Sequence, residues 1–177
     1  MVKASDWIKA GYALLRKDGS ERLTIDRLCK ALEKTKGSFY HHFADISAYE
    51  DALLSAWKEA HTLAPIEIAD ARASTGAEPS VVDRRRALYR AVGKLDMKLE
   101  LAIRAWAASD PRARRAQIDV DATRVAYLGS LWGRGKRAQA NAELEYAAFL
   151  GLLHQHGDTF PEYTHLMALL LQALSAE

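Results

Sequence analysis

One cysteine, four prolines and ten glycines are all that 177 residues hold of the types that staple, break or loosen a chain. The lone Cys29 excludes an intramolecular disulfide. The start, MVKASDWIKAG, lacks the long apolar stretch of a secretory leader, so a reducing cytoplasm is the expected setting. Long apolar runs are missing too: the most apolar tract, LMALLLQALSA, falls well short of the roughly 20 residues that cross a bilayer, and no membrane partner is expected. Nor is there a glycine-rich phosphate loop, a zinc-ligand spacing or a nucleophile elbow. What is present is 49% hydrophobic residues, enough for a chain of this length to bury about 70% of its unfolded surface without disulfide or metal.

The formal net charge of +2 says little until it is divided along the chain. Residues 1–43 carry nine Lys and Arg against five Asp and Glu, whereas residues 44–62 carry one against four. The positive surplus sits at the N-terminal end, where it is compatible with contact to phosphates.

Apolar residues recur at three and four rather than at two, which predicts an all-α protein of about nine helices. Ser5 is a candidate cap for a first helix over about 6–17, with Ile8, Gly11, Tyr12 and Leu15 inward and Gly19 at its end. Thr24 caps a second that ends near Leu32, with Leu23 and Leu28 placed as a hydrophobic staple. Thr35 caps a third, and Asp45 or Ser47 opens a linker helix over 46–62. The stretch APIEIADARASTGAEPS reads as a frayed helix end and a loop over about 65–80. Further helices follow at about 81–94, 96–109, 111–132, 137–156 and 161–176. The expected organisation is a domain over 1–45 followed by a helical domain over 46–177.

Two short helices joined by a tight turn are the elements of a helix-turn-helix, which presents its second helix to the DNA major groove. On a helical wheel Phe39 and Phe43 share one side, Gly37, Ser38 and His41 the opposite one, and Tyr40 and His42 the flanks. The phenylalanines then face the core, and the small outward residues let the helix backbone approach base edges. Tyr40 and His42 point to the phosphate walls of the groove, and Lys36 reaches a base or a phosphate. The hydroxyls of Thr24 and Thr35, beside the free N–H groups of the helix ends they cap, suit phosphate. Spacing alone leaves open that KTKGSFYHHF is a solvated helix with aromatic anchors.

The stretch LTIDRLCKALEKTKGSFYHHF resembles the signature of the tetracycline-repressor (TetR) family, in a match that runs from residue 5 to about 57. The resemblance implies a sequence-specific regulator in which Thr24, Thr35, Lys36, Gly37, Ser38, Tyr40, His41 and His42 face double-stranded DNA, with a palindromic operator as partner. It departs from the family at Glu33 and Lys34, where a glycine and a small apolar residue are usual in the turn, and at Ile46, where a phosphate-binding lysine is usual. A left-handed Glu33 costs about 1 kcal/mol.

LELAIRAWAASDPRARRAQIDVDATRVAYLGSLW is similar to the C-terminal domains of one TetR subgroup, which implies a repressor released from DNA by a small-molecule effector, and a homodimer. Tyr89, Met97, Trp106, Tyr127 and Trp132 are candidate pocket residues because aromatic and flexible apolar groups suit an apolar ligand, although ordinary core packing is the better account of any single one. The candidate dimer surface is Phe149, Leu150, Leu153, Leu166, Met167, Leu170 and Leu174, since the helix before the last is apolar nearly all round and needs two neighbours.

No cofactor or metal is expected: His41 and His42 are adjacent, and His154 and His156 diverge by about 200° on a helix. Arg84-Arg85-Arg86, Arg112-Arg114-Arg115 and Arg134-Lys136-Arg137 read as solvated charge. Two rival functions are a small all-α enzyme using Cys29 or the Asp119 and Asp121 pair, and a ligand-independent interaction protein without DNA affinity. Cys29 sits on the apolar stripe of the second helix, where a thiol is inert.

Overall fold

The computed structural model describes residues 2–71, 80–157 and 163–175, and among these there is no strand. The helices are α1 (Ala4–Asp18), α2 (Ile25–Leu32), α3 (Lys36–Tyr40), α4 (Ile46–Lys58), α5 (Ala64–Ala71), α6 (Val81–Val92), α7 (Met97–Ser109), α8 (Pro111–Trp132), α9 (Lys136–His156) and α10 (Tyr163–Ser175). A short 3₁₀ turn, Ser20–Arg22, precedes α2. A π-helical turn, Glu59–Leu63, joins α4 to α5, so helix continues from Ile46 to Ala71. The expected loop is thus helical through residue 71, and its remainder over 72–79 lies outside the described residues.

The reason helix survives Pro65 is local. Proline has no N–H, so the carbonyl four residues back, that of His61, loses its helical donor. Arg124 of α8 supplies one: its Nη2 donates to His61 O at 3.1 Å and its Nε to Thr62 Oγ1 at 3.1 Å. The Arg124 Nη1 donates to Tyr146 Oη at 3.2 Å, and that hydroxyl donates to Asp121 Oδ1 at 2.6 Å. A π-turn with side chains inserted at its carbonyls is a recognised way to carry a proline through a helix.

The chain packs into two compact units, Met1–Lys58 with Lys98–Gln117, and Glu59–Met97 with Ile118–Glu177. α4 falls within the first of these. In the first unit Trp7, Leu15, Leu28, Phe39, Tyr49, Leu53 and Trp57 form the centre of the core. Trp7 and Phe39 meet edge to face at 5.4 Å, and Phe43 meets Tyr49 the same way at 5.0 Å. Of the expected inward face of α1, Gly11 and Leu15 are buried and Ile8 and Tyr12 half-buried, with Trp7 buried beside them, and its N-cap is Lys3 rather than Ser5, with the Lys3 N–H donating to Asp6 Oδ2 at 2.8 Å. The Trp57 indole donates to the buried Glu100 at 3.0 Å, and Arg104 pairs with the same carboxylate at 3.2 Å. Arg112 bonds the Ser47 carbonyl and pairs with Glu50 at 2.7 Å and Asp51 at 3.2 Å, so it is a tie to α4, not solvated charge.

In the second unit α5 packs on α6, and α10 packs on α9 and α6. Glu145 is 1% exposed, and around it converge Arg85 at 2.5 Å, the Tyr89 hydroxyl, and the Trp132 indole N–H at 2.7 Å. The Arg85 guanidinium also lies over the Trp132 ring, 4.3 Å from its centroid. The reading of Arg85 as surface charge is corrected: at 6% exposure it is a core residue, buried because a carboxylate 60 residues later neutralises it.

Candidate nucleic-acid interface

Each end of the helix-turn-helix is fixed by a side chain next to it in sequence. The Thr24 hydroxyl accepts from the Arg27 N–H at 3.4 Å, and that of Thr35 from the Ser38 N–H at 3.3 Å. α2 ends in a paired motif in which Lys34 N–H donates to Cys29 O at 2.9 Å and Glu33 N–H to Lys30 O at 3.3 Å. This motif needs a left-handed residue, and Glu33 takes it, with φ 54° and ψ 44°. Asp45 opens α4, its carboxylate accepting from Ala48 N–H at 2.7 Å.

Phe39 and Phe43 are buried, as the wheel requires, and α3 presents its other side outward. Gly37 and His41 are exposed, Ser38 is half-buried, and Tyr40 is 53% exposed for so large a ring. A Cβ added at Gly37 would meet only Thr35 Oγ1, at 3.7 Å, and its φ is not in the left-handed region. Nothing among the described residues therefore requires glycine there.

Two candidates stand differently from expectation. The Lys36 ammonium lies 2.8 Å from Asp26 of α2, and that carboxylate, by its hydrogen bond first and its charge second, holds the ammonium above the usual lysine range. The His42 ring, expected on a phosphate wall, is 3.0 Å from the Val2 carbonyl and ties the start of the chain to the end of α3. Sequence reasoning missed Asp26, although its place in the first turn of α2 offered the signal. The Cys29 thiol is buried, and burial ahead of the neighbouring Asp26 pushes its pKa up. Among the described residues no group of three or more His, Cys, Asp or Glu is placed to hold a metal.

The expected effector residues take up separate packing and hydrogen-bonding roles. Tyr89 and Trp132 meet at Glu145. Tyr127 bonds Asp70 at 2.8 Å and stacks under Arg84, its pKa raised to about 12 by burial and by the Asp70 carboxylate. Met97 and Trp106 are buried, the latter in the first unit. A groove of about 830 Å³ lies instead between the segment Ala60–Ala71 and α6 with the turn after it, and none of the five lines it. On α9 and α10 the candidates Phe149, Leu153 and Met167 are buried within the chain's own core, while Leu150, Leu166, Leu170 and Leu174 are half-buried. The outward stripes are Ala140, Leu144, Ala147 and Gly151 on α9, and Leu169 and Ala173 on α10.

No protein-family model and no curated protein matches the chain. Solved structures do. NemR of E. coli in its reduced form superposes with a TM-score of 0.74 at 20% identity, over 98% of this chain and 96% of that one. A TetR-family transcriptional regulator from Rhodococcus sp. does so at 0.73 and 17% identity, over 98% and 97%. BioQ, solved with its double-stranded DNA operator, gives 0.51 at 21% identity with both chains fully covered. The likeness establishes that the all-α fold is the one these regulators share.

Proposed function

We propose that the chain is a TetR-type, sequence-specific DNA-binding regulator: a homodimeric repressor that leaves a palindromic operator when a small-molecule effector binds. The observation that carries this reading is Gly37. Gly37 is the second residue of the five-residue α3, glycine is a poorer helix former than alanine, and among the described residues the fold has room for the larger side chain. A residue unfavourable to the fold and unneeded by it is explained by something outside that comes within a methyl group's distance, as a base edge does to a recognition helix. Exposed Tyr40 and His41 extend the same face, and the hydroxyls of Thr24 and Thr35, accepting from their own helices, keep an O–H for phosphate. The family fold, found in a protein solved on its operator, supports the reading.

Replacing Gly37 by Ala tests it. The variant unfolds at equal or higher urea concentration than the parent and loses at least ten-fold in affinity for a duplex selected from genomic fragments at fixed salt. Tyr40→Phe weakens specific and non-specific duplexes alike, whereas His41→Ala also alters sequence preference, a single base contact being worth about 1–3 kcal/mol. A Gly37→Ala protein that binds its selected duplex as the parent does overturns the assignment.

For the dimer, the outward stripes of α9 and α10 take over from the buried Phe149, Leu153 and Met167 as the surface for a second copy, with Leu150, Leu166, Leu170 and Leu174 at its edge. A two-fold contact between such hairpins repeats the recognition helix for the second half-site.

A further inference from the structure

The groove in the second unit has one wall from the helical segment that follows α4, with Ala60, Ala64 and Ile68, and the other from α6, with Ala87 and Ala91. Its width comes from side chains that are too short to meet: five of its lining residues are alanine. Its volume, about 830 Å³, is in the range of a small-molecule site, and Ile68, at 47% exposure, leaves a branched apolar side chain facing it. Arg90, in the last turn of α6, and Lys94, in the turn that follows it, are among the residues that line it. Among the described residues neither has a carboxylate partner, whereas Arg84, Arg85 and Arg86 of α6 are each paired. A cation such as Arg90 in the last turn of a helix is ordinary on its own. Two of them beside an apolar trough form a headgroup site above a tail site.

We propose that this groove binds a single-headed amphipathic anion, a medium-length alkyl or aryl chain ending in a carboxylate or an equivalent acidic group. The tail lies between the alanines, where burial of apolar surface supplies the affinity, and the headgroup meets Arg90 and Lys94, which select its sign. That binding of such an anion loosens DNA rests on the regulator reading above: it does so to the extent that the anion prefers the DNA-incompetent state.

Calorimetric titration of the full chain tests the groove without DNA. Decanoate binds, and decanol and decyltrimethylammonium bind at least ten-fold more weakly; decyl sulfate and decyl phosphate, run beside decanoate, separate a carboxylate site from a general anion site. Arg90→Ala with Lys94→Ala, both exposed, lowers decanoate affinity at least ten-fold and brings it level with decanol. Ala91→Leu fills the trough and removes binding of all three, with an unchanged circular dichroism spectrum showing that the fold is kept. Equal affinities for the anion, alcohol and cation, or decanoate binding that survives both variants, or no binding of decanoate, overturn the proposal. Operator titration in the presence of decanoate is read separately. A chain that binds decanoate in this pattern but selects no duplex overturns the regulator and supports the groove, and a chain that selects a duplex but ignores decanoate does the reverse.

Discussion

Arg124 Nη2 donates to the His61 carbonyl at 3.1 Å, the carbonyl that an N–H at position 65 would meet in an α-helix and that proline cannot supply. The proline and the arginine are 59 positions apart yet answer the same backbone group. Arg124→Met therefore costs about 2–3 kcal/mol, the range for leaving a buried acceptor short of a charged donor. Pro65→Ala returns an N–H to the helix, so Arg124→Met costs less in that background. Urea unfolding of the four proteins of the cycle checks this, and strictly additive losses would refute the link.

Lys36 and Asp26 form the exposed counterpart of that relationship, on the face assigned to DNA. Asp26→Asn releases the ammonium to a phosphate, so affinity for any duplex rises and the slope of log affinity against log salt steepens by about 0.9. The Lys36 pKa is raised, so whatever the pair contributes is complete below the unfolded lysine value and is lost only as pH rises through the higher folded one. Salt slopes measured at pH 6 and pH 8 should therefore agree. Weaker binding by Asp26→Asn would instead make Asp26 itself a DNA contact.

Gly11 is required by the fold in the way that Gly37 is not. A Cβ there would overlap the Tyr49 hydroxyl and come within 2.6 Å of Leu53 Cδ1. Tyr49 would have to leave the Trp7 carbonyl to which it donates at 2.8 Å. Gly11→Ala is expected to lose about 2–4 kcal/mol from overpacking and the broken bond. Tyr49→Phe in the same chain recovers part of that loss, which the urea midpoint of the double variant reads.

Glu145→Ala strands the Arg85 guanidinium in the core and costs about 3–5 kcal/mol, while Arg85→Met with Glu145→Leu returns most of it. Because Trp132 touches both partners, its emission moves in the single variant and identifies the site of the damage. A single variant as stable as the parent would mean that water reaches Arg85.

Leu144, 53% exposed on α9, is the residue whose change to Glu separates dimer from fold. Sedimentation of Leu144→Glu should give a monomer that melts cooperatively and binds its operator far more weakly, while Phe149→Glu should fail to fold. A Leu144→Glu protein that still sediments as a dimer would place the two-fold contact elsewhere.

The sequence by itself determined the helical class, the starts of α2, α3 and α4, and the inward turn of Phe39 and Phe43. These are local matters: a hydroxyl or carboxylate caps N–H groups three residues on, and helical spacing puts positions four apart on one side. The family resemblance pointed to Glu33 as standing where a glycine is usual, and the structure gives it the left-handed conformation. Tertiary structure decided the rest. Arg85 reads as surface charge until Glu145 arrives from α9, and Lys36 as a free cation until α2 brings Asp26 beside it. The run over 65–80 reads as a frayed helix end and a loop from its Ala, Ser, Thr, Gly and Pro, and the structure carries helix through Ala71, with Arg124 on the His61 carbonyl. Phe149 and Leu144 are equally apolar on paper, and only the packing of α9 on its neighbours decides which is core and which is surface. The groove beside α6 was the least legible feature, because it is made by short alanines on two separate segments, and no local pattern records the space between them.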